Sequence, residues 1–152
     1  MIVIGIDPGT TRCGYGVIKK DGSRLSLLAA GILSSTGPDA PSRLSSLASH
    51  LKEIISLYHP ERAAIETLYF SRNQKTALSI AEARGAILSV LSAAFLPIQE
   101  FSPTEVKSLL TGSGRASKHD IITTVELILK TKIKGVDDIC DALAIAILAA
   151  GM

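Results

Sequence analysis

Ile2, Val3, Ile4 and Ile6 make an apolar run closed by Asp7-Pro8-Gly9, the pattern of a buried strand running into a turn. Residues 14–19 and roughly 25–33 read as two more strands, and Asp21-Gly22 between them is a hairpin-turn dipeptide. The chain therefore opens with a three-stranded antiparallel meander. Helical spacing then takes over. Leu44, Leu47, Leu51, Ile54, Ile55 and Tyr58 recur on one face of a helix that stops before Pro60. Residues 62–66 return to a short buried strand, a second helix runs from about 76 to 94, and residues 97–101 form a fifth strand. Ser102-Pro103-Thr104-Glu105 is a helix start, with an N-cap serine, proline at the first position and glutamate at the third. That helix stops near Gly112. Ser117 caps another through Lys130, and 136–150 form the last.

Strands followed by alternating helix and strand predict an α/β fold, a mixed five-stranded sheet with helices on both faces. No repeat, low-complexity tract or linker interrupts residues 1–152, so one domain is expected. In such sheets ligands gather beyond the C-terminal ends of parallel strands. If strands 2–6 and 62–66 are parallel neighbours, Asp7 and Glu66 emerge side by side at that edge. Asp138 and Asp141, at i and i+3, share one face of the last helix; Asp137, at i and i+4 from Asp141, shares it too. Docking that helix at the same edge closes a four-carboxylate site.

Carboxylates at the ends of core elements are costly unless something positive meets them, and divalent cations, Mg²⁺ above all, take oxygen ligands. Two such ions would clamp the attacking water and the leaving oxygen of a phosphodiester. His50, His59 and His119 are assigned no role, and neither a Walker loop nor a Ser/His/Asp arrangement offers another chemistry.

Composition sharpens this. The 152 residues are 47% hydrophobic and 20% charged with net charge +2, which suits a globular domain and by itself names no polyanionic partner. Between 107 and 134, however, six basic residues (Lys107, Arg115, Lys118, Lys130, Lys132, Lys134) face two acidic ones, a local net of +4. A basic flank beside an acidic centre suits metal-dependent work on a polyanion. Tyr69, Phe70, Arg72 and Lys75 follow Glu66 closely and join two of the six aromatics to basic side chains, a combination suited to stacking on bases.

Cys13 and Cys140 are in no metal-ligand spacing and read as buried thiols of a reducing compartment. No uninterrupted apolar run reaches the ~18 residues of a membrane span, and no signal peptide is expected. A cytoplasmic protein is the default. The helix 76–94 is apolar around most of its circumference, and its Ala, Ser and Gly85 face predicts either packing on helix 40–58 or a homodimer contact.

These residues resemble the RuvC family of bacterial Holliday-junction resolvases across nearly the whole chain. The likeness lies in Gly-Ile-Asp-Pro-Gly-Thr at 5–10, Gly-Tyr-Gly-Val-Ile at 14–18, Ala-Ile-Glu at 64–66, Ala-Arg-Gly at 83–85 and Asp-Ala-Leu-Ala-Ile-Ala at 141–146. The resemblance implies an RNase H-like fold and a homodimer. It also implies Mg²⁺-dependent hydrolysis, with Mn²⁺ able to substitute, that cuts two opposed strands of a four-way junction at T-rich sites. RuvA and RuvB would be partners. By position it implies Asp7, Glu66, Asp138 and Asp141 as metal-binding catalytic carboxylates, the family spacing selecting Asp138 over Asp137. Lys107 and Lys118 would lie at the DNA-binding edge, with Tyr69 or Phe70 stacking near the junction centre. No basic tail follows the last helix.

Three other readings compete. Against an RNA-cutting nuclease of the YqgF type, the paired aspartates ahead of Ala-Leu-Ala-Ile-Ala and the aromatic-basic loop argue for the resolvase. A catalytically dead junction binder would not need four carboxylates. An actin-like or sugar-kinase ATPase needs two lobes where 152 residues supply one.

Overall fold

The computed structural model describes residues 1–9, 12–67, 74–135 and 137–151. The opening meander is β1 (Ile2–Pro8), β2 (Cys13–Asp21) and β3 (Arg24–Leu33), turned at Gly22 with φ 59°. Next come α1 (Ala40–Tyr58), β4 (Arg62–Glu66), α2 (Gln74–Ala93) and β5 (Ile98–Phe101), and then α3 (Pro103–Thr111), α4 (Lys118–Leu129) and α5 (Asp137–Ala149). The sheet order is β3-β2-β1-β4-β5; β1 pairs antiparallel with β2 and parallel with β4, and β4 is parallel to β5. Every expected element is present, with ends within a few residues of those the periodicity sets.

Side chains alternate across a strand, so each strand feeds two cores. Ile4, Ile6, Ala63 and Ile65 point to one face and are covered by α1 and α2 through Leu47, Leu51, Ile87 and Leu91. Val3 and Ala64 point to the other, covered by α3, α4 and α5 through Val106, Val125, Leu143 and Ile147. Each fully buried Leu or Ile contributes about 1.5–3 kcal/mol. Counting on by twos puts Asp7 and Glu66 on the α5 face.

α5 lies across β1, β2 and β4 at short range because the strands beneath it carry glycine. A Cβ on Gly5 would fall 2.1 Å from the carbonyl oxygen of Ala142, and one on Gly14 would fall 2.0 Å from that of Asp138. The far end of α5 is tethered as well. The Lys20 ammonium donates to the Ala150 carbonyl at 2.7 Å and Arg62 to that of Ala149 at 2.8 Å, which satisfies carbonyls the helix leaves unpaired and complements its dipole.

Residues 76–93 of α2 have a mean hydropathy of 1.2 and are long enough to cross a bilayer. The apolar-run criterion passes over them because Glu82 and Arg84 interrupt the run. Here the helix lies against the sheet through Ala83, Ile87, Val90 and Leu91. Cys13 and Cys140 are free and buried, and burial raises their thiols to about 11 and about 12.

Gly14→Ala should destabilise the protein by about 1–3 kcal/mol, the usual range for overpacking a filled contact, because the atom it would strike is backbone and cannot swing away. Urea unfolding measures this; a loss within about 0.5 kcal/mol would mean that α5 does not rest on Gly14 as described.

Candidate metal and nucleic-acid site

Asp7 is the penultimate residue of β1 and Glu66 the last of β4. The parallel register pairs Ile6 with Ile65, so the next position on each strand brings the two carboxylates together. Across the antiparallel register Asp7 faces Gly14, and Gly14 is the floor on which the first turn of α5 sits at Asp138. One glycine therefore joins the two halves of the site. Asp138 is half-buried, whereas Asp137 is exposed. The Asp7 carboxyl feels the charges of Glu66, Asp141 and Asp138, whereas Asp137 acts on Asp141 and Lys118.

Asp7 is 8% exposed, the one buried polar or charged residue among the described residues. Burial pushes its carboxyl from the ordinary 3.8 up to about 8, helped by a hydrogen bond to Glu66 and by the neighbouring negative charges. Glu66 is raised by burial and by Asp141, although the Asp7 hydrogen bond and Lys118 oppose the rise. Both carboxyls are thus raised as a pair, because burying two adjacent anions side by side disfavours ionising both. Asp141, raised by burial, is held down by the Lys118 ammonium that hydrogen-bonds to it. Burial pulls Lys118 down, but its bond to Asp141 and the charges of Asp141, Asp137 and Asp7 outweigh this and raise it.

Among the described residues no three acidic, histidine or cysteine side chains converge as a ready ligand set. The physical reason is charge balance. A proton serves Asp7, and an ammonium serves Asp141, where a divalent cation would serve them together. The donor chemistry fits such an ion: all oxygen, all hard, and over-supplied with negative charge. The Lys118–Asp141 pair, whose side chains are 43% and 32% exposed, contributes only ~0–1 kcal/mol and yields readily to a competing cation or phosphate.

Both lysines are set by helix caps. Ser117 accepts from the Asp120 amide and Asp120 reaches back to Ser117, so Lys118 opens α4 in a fixed direction. The Ser102–Glu105 capping box fixes α3 and with it Lys107. Glu66, Lys107, Lys118 and Asp141 line a recess of about 240 Å³ together with the apolar Val106, Ile121 and Ile145. Arg115 lies apart, on an exposed depression with Ser113, His119 and Thr123. Tyr69, Phe70 and Arg72, and the side chain of Lys75, fall outside the described residues. Sequence reasoning missed the part of Gly14 as a floor; its signal was a glycine within a strand, near its start, which can mark close approach of another backbone.

The raised Asp7 carboxyl has a thermodynamic consequence. Folded chains hold a proton that unfolded chains release above about pH 4, so without metal, stability should fall as pH rises toward about 8. The slope is at most about 1.4 kcal/mol per pH unit. Thermal unfolding in EDTA from pH 5 to 8 should show this slope, and Asp7→Asn should flatten it and raise Tm at pH 8. Identical slopes in the two proteins would show that Asp7 carries no such proton.

Residues 3–149 match the family described as crossover junction endodeoxyribonuclease RuvC. The chain is 42% identical to RuvC of Heliobacterium modesticaldum over 152 residues, 99% of this chain and 94% of the relative. It is 42% identical to RuvC of Petrotoga mobilis over 148 residues, 96% and 91% of the two chains. Its fold superimposes on Thermus thermophilus RuvC, solved with a Holliday junction substrate, with a TM-score of 0.90 at 33% identity, covering 99% of this chain and 93% of that one. An RNase H-like sheet with this edge of carboxylates, and sequence identity across nearly every residue, lead to one assignment: the chain belongs to the RuvC family of crossover junction endodeoxyribonucleases.

Proposed function

We propose that this chain, as one nuclease domain over residues 1–152 and as a homodimer, resolves four-way DNA junctions in recombination and repair by metal-dependent hydrolysis of two opposed strands. The observation that carries this reading is the sheet edge itself. The parallel register sets Asp7 beside Glu66, α5 rests on Gly14 at Asp138, and Lys118 pairs with Asp141, an oxygen-rich acidic edge suited to a divalent cation. The names of the relatives and the junction bound to the Thermus structure support the substrate.

Asp7, Glu66, Asp138 and Asp141 would hold Mg²⁺, two ions per site, with Mn²⁺ able to substitute. When bound, the ions supply an activated water and balance charge on the leaving oxygen. The protein's own groups do the remainder. On metal binding Asp7 would release its proton to solvent, Lys118 would exchange Asp141 for a phosphate oxygen, and Lys107 would hold the strand at the recess. Arg115 extends the basic track, with Arg72 and Lys75 gripping the junction and Tyr69 or Phe70 stacking at its centre.

The homodimer would form on the outer face of α2. Only 22% of residues 76–93 are buried within the chain, and Leu78 is 62% exposed, whereas a helix this apolar is ordinarily covered on both sides. Gly85, with nothing within 4 Å of a Cβ added to it, leaves room for a second helix to approach. Two sites related by a two-fold axis suit paired cuts. RuvA and RuvB are the proposed partners and the cytoplasm the proposed compartment.

Asp7→Asn should abolish nicking of a synthetic mobile four-way junction in Mg²⁺ and in Mn²⁺, a loss beyond the ~100-fold typical of an outer-shell partner. It should leave junction binding intact or tighter, since it removes negative charge near phosphates. Gel assays of cleavage and binding read both; substantial cleavage by the variant would refute the metal site as assigned.

A further inference from the structure

Arg84 has no part in the chemistry above, yet it reaches a proposed ligand from behind. It stands in mid-α2, within the Ala-Arg-Gly stretch at 83–85, and its side chain is 17% exposed. Its Nε donates to the main-chain oxygen of Glu66 at 3.4 Å, and its Nη2 forms a salt bridge to the Glu100 carboxylate. Ala83 and Ile87, on either side of it in the helix, are buried against the sheet, so the base of the arginine is held firmly.

The geometry is specific in two ways. Glu66 ends β4, and its neighbour on β5 is Phe101, one residue beyond Glu100, so a single guanidinium spans the ends of both strands. A planar fork with donors in two directions does this, and an ammonium does not. A mostly buried cation is also costly unless its partners are in place. Glu100 therefore fixes the guanidinium, and the guanidinium fixes the Glu66 carbonyl. α2 covers the face opposite α5, so the main chain of Glu66 is gripped from one side of the sheet while its carboxylate meets Asp7 on the other.

We propose that Arg84, with Glu100 behind it, is a positioning residue that sets the main-chain orientation of Glu66 and so the place of its carboxylate beside Asp7. This rests on the reading of Glu66 as a metal ligand. A strand end is where a ladder gives its last residue least support, and a displacement on the order of 1 Å at a reacting centre can cost about 100-fold in rate. Losing Arg84 therefore weakens metal binding and turnover while sparing contacts to DNA.

The test is Mn²⁺ binding by titration calorimetry on Arg84→Gln, Arg84→Lys, Glu100→Gln and the Arg84→Gln/Glu100→Gln double variant. Mg²⁺-dependent junction cleavage, metal-free junction binding and thermal unfolding in EDTA accompany it. Arg84→Gln should lower Mn²⁺ affinity by about tenfold or more, the range for outer-shell partners, and raise the Mg²⁺ needed for half-maximal cleavage, with junction binding unchanged. Glu100→Gln should move both in the same direction by less. The double variant should be no worse than Arg84→Gln, because the two act through one fork. Arg84→Lys should recover part of the affinity. Folded Arg84→Gln with the Mn²⁺ affinity of the wild type would overturn the proposal. So would an Arg84→Gln that fails to fold beside a Glu100→Gln with unchanged affinity, since that pattern belongs to a purely structural arginine. If the wild type binds Mn²⁺ but never nicks junctions, the resolvase reading fails, and the Mn²⁺ comparison still judges Arg84.

Discussion

The main chain of α5 rests directly on β1 and β2, and the site depends on that contact. Side chains ordinarily stand between a helix and the sheet it covers; here Gly5 and Gly14 present no Cβ, and the carbonyls of Ala142 and Asp138 occupy the space instead. The first turn of α5 is thereby brought down to the level of Asp7, which faces Gly14 across the ladder. At the opposite end Lys20 and Arg62 hold the last carbonyls, so the helix is located along its axis as well as in depth. Asp138 and Asp141 inherit that location.

Once the carboxylates are gathered, electrostatics governs the rest. Four acidic groups at one edge, Asp7 buried and the others half-buried, repel one another and lose hydration, and the chain answers with whatever positive charge it has. The Asp7 carboxyl, hydrogen-bonded to Glu66, is pushed up to about 8, and Lys118 pairs with Asp141. Neither arrangement is strong. The lysine pair is half exposed, and the Asp7 proton is lost near neutral pH. In the proposed function such a site would exchange proton and ammonium for harder, more highly charged cations, and pass the freed lysine to a phosphate. Stability is given up locally, as is common where function needs like charges side by side.

Much of this was legible in the residues because the signals were local. Alternating and continuous apolar runs named the five strands, the Ser102 and Ser117 caps fixed two helix starts, and i, i+3 spacing put Asp138 and Asp141 on one face. The parallel pairing of β1 with β4, expected from topology alone, carried Asp7 to Glu66. What stayed hidden depends on contacts far apart in sequence. Gly14 looked like an ordinary strand residue until α5 lay upon it. Arg84 looked like one charge in an apolar helix until it met Glu66 and Glu100. The balance of proton and ammonium was invisible too, because spacing gives the charges and not how they are neutralised.

The central claim is that one sheet edge, assembled by α5 on its glycine floor, is a divalent-metal site. Anomalous scattering from a crystal soaked in Mn²⁺ tests it most directly. The account predicts a peak bounded by Asp7, Glu66, Asp138 and Asp141, with the Lys118 ammonium withdrawn from Asp141. A peak elsewhere, or Lys118 still paired to Asp141 at saturating Mn²⁺, would contradict it.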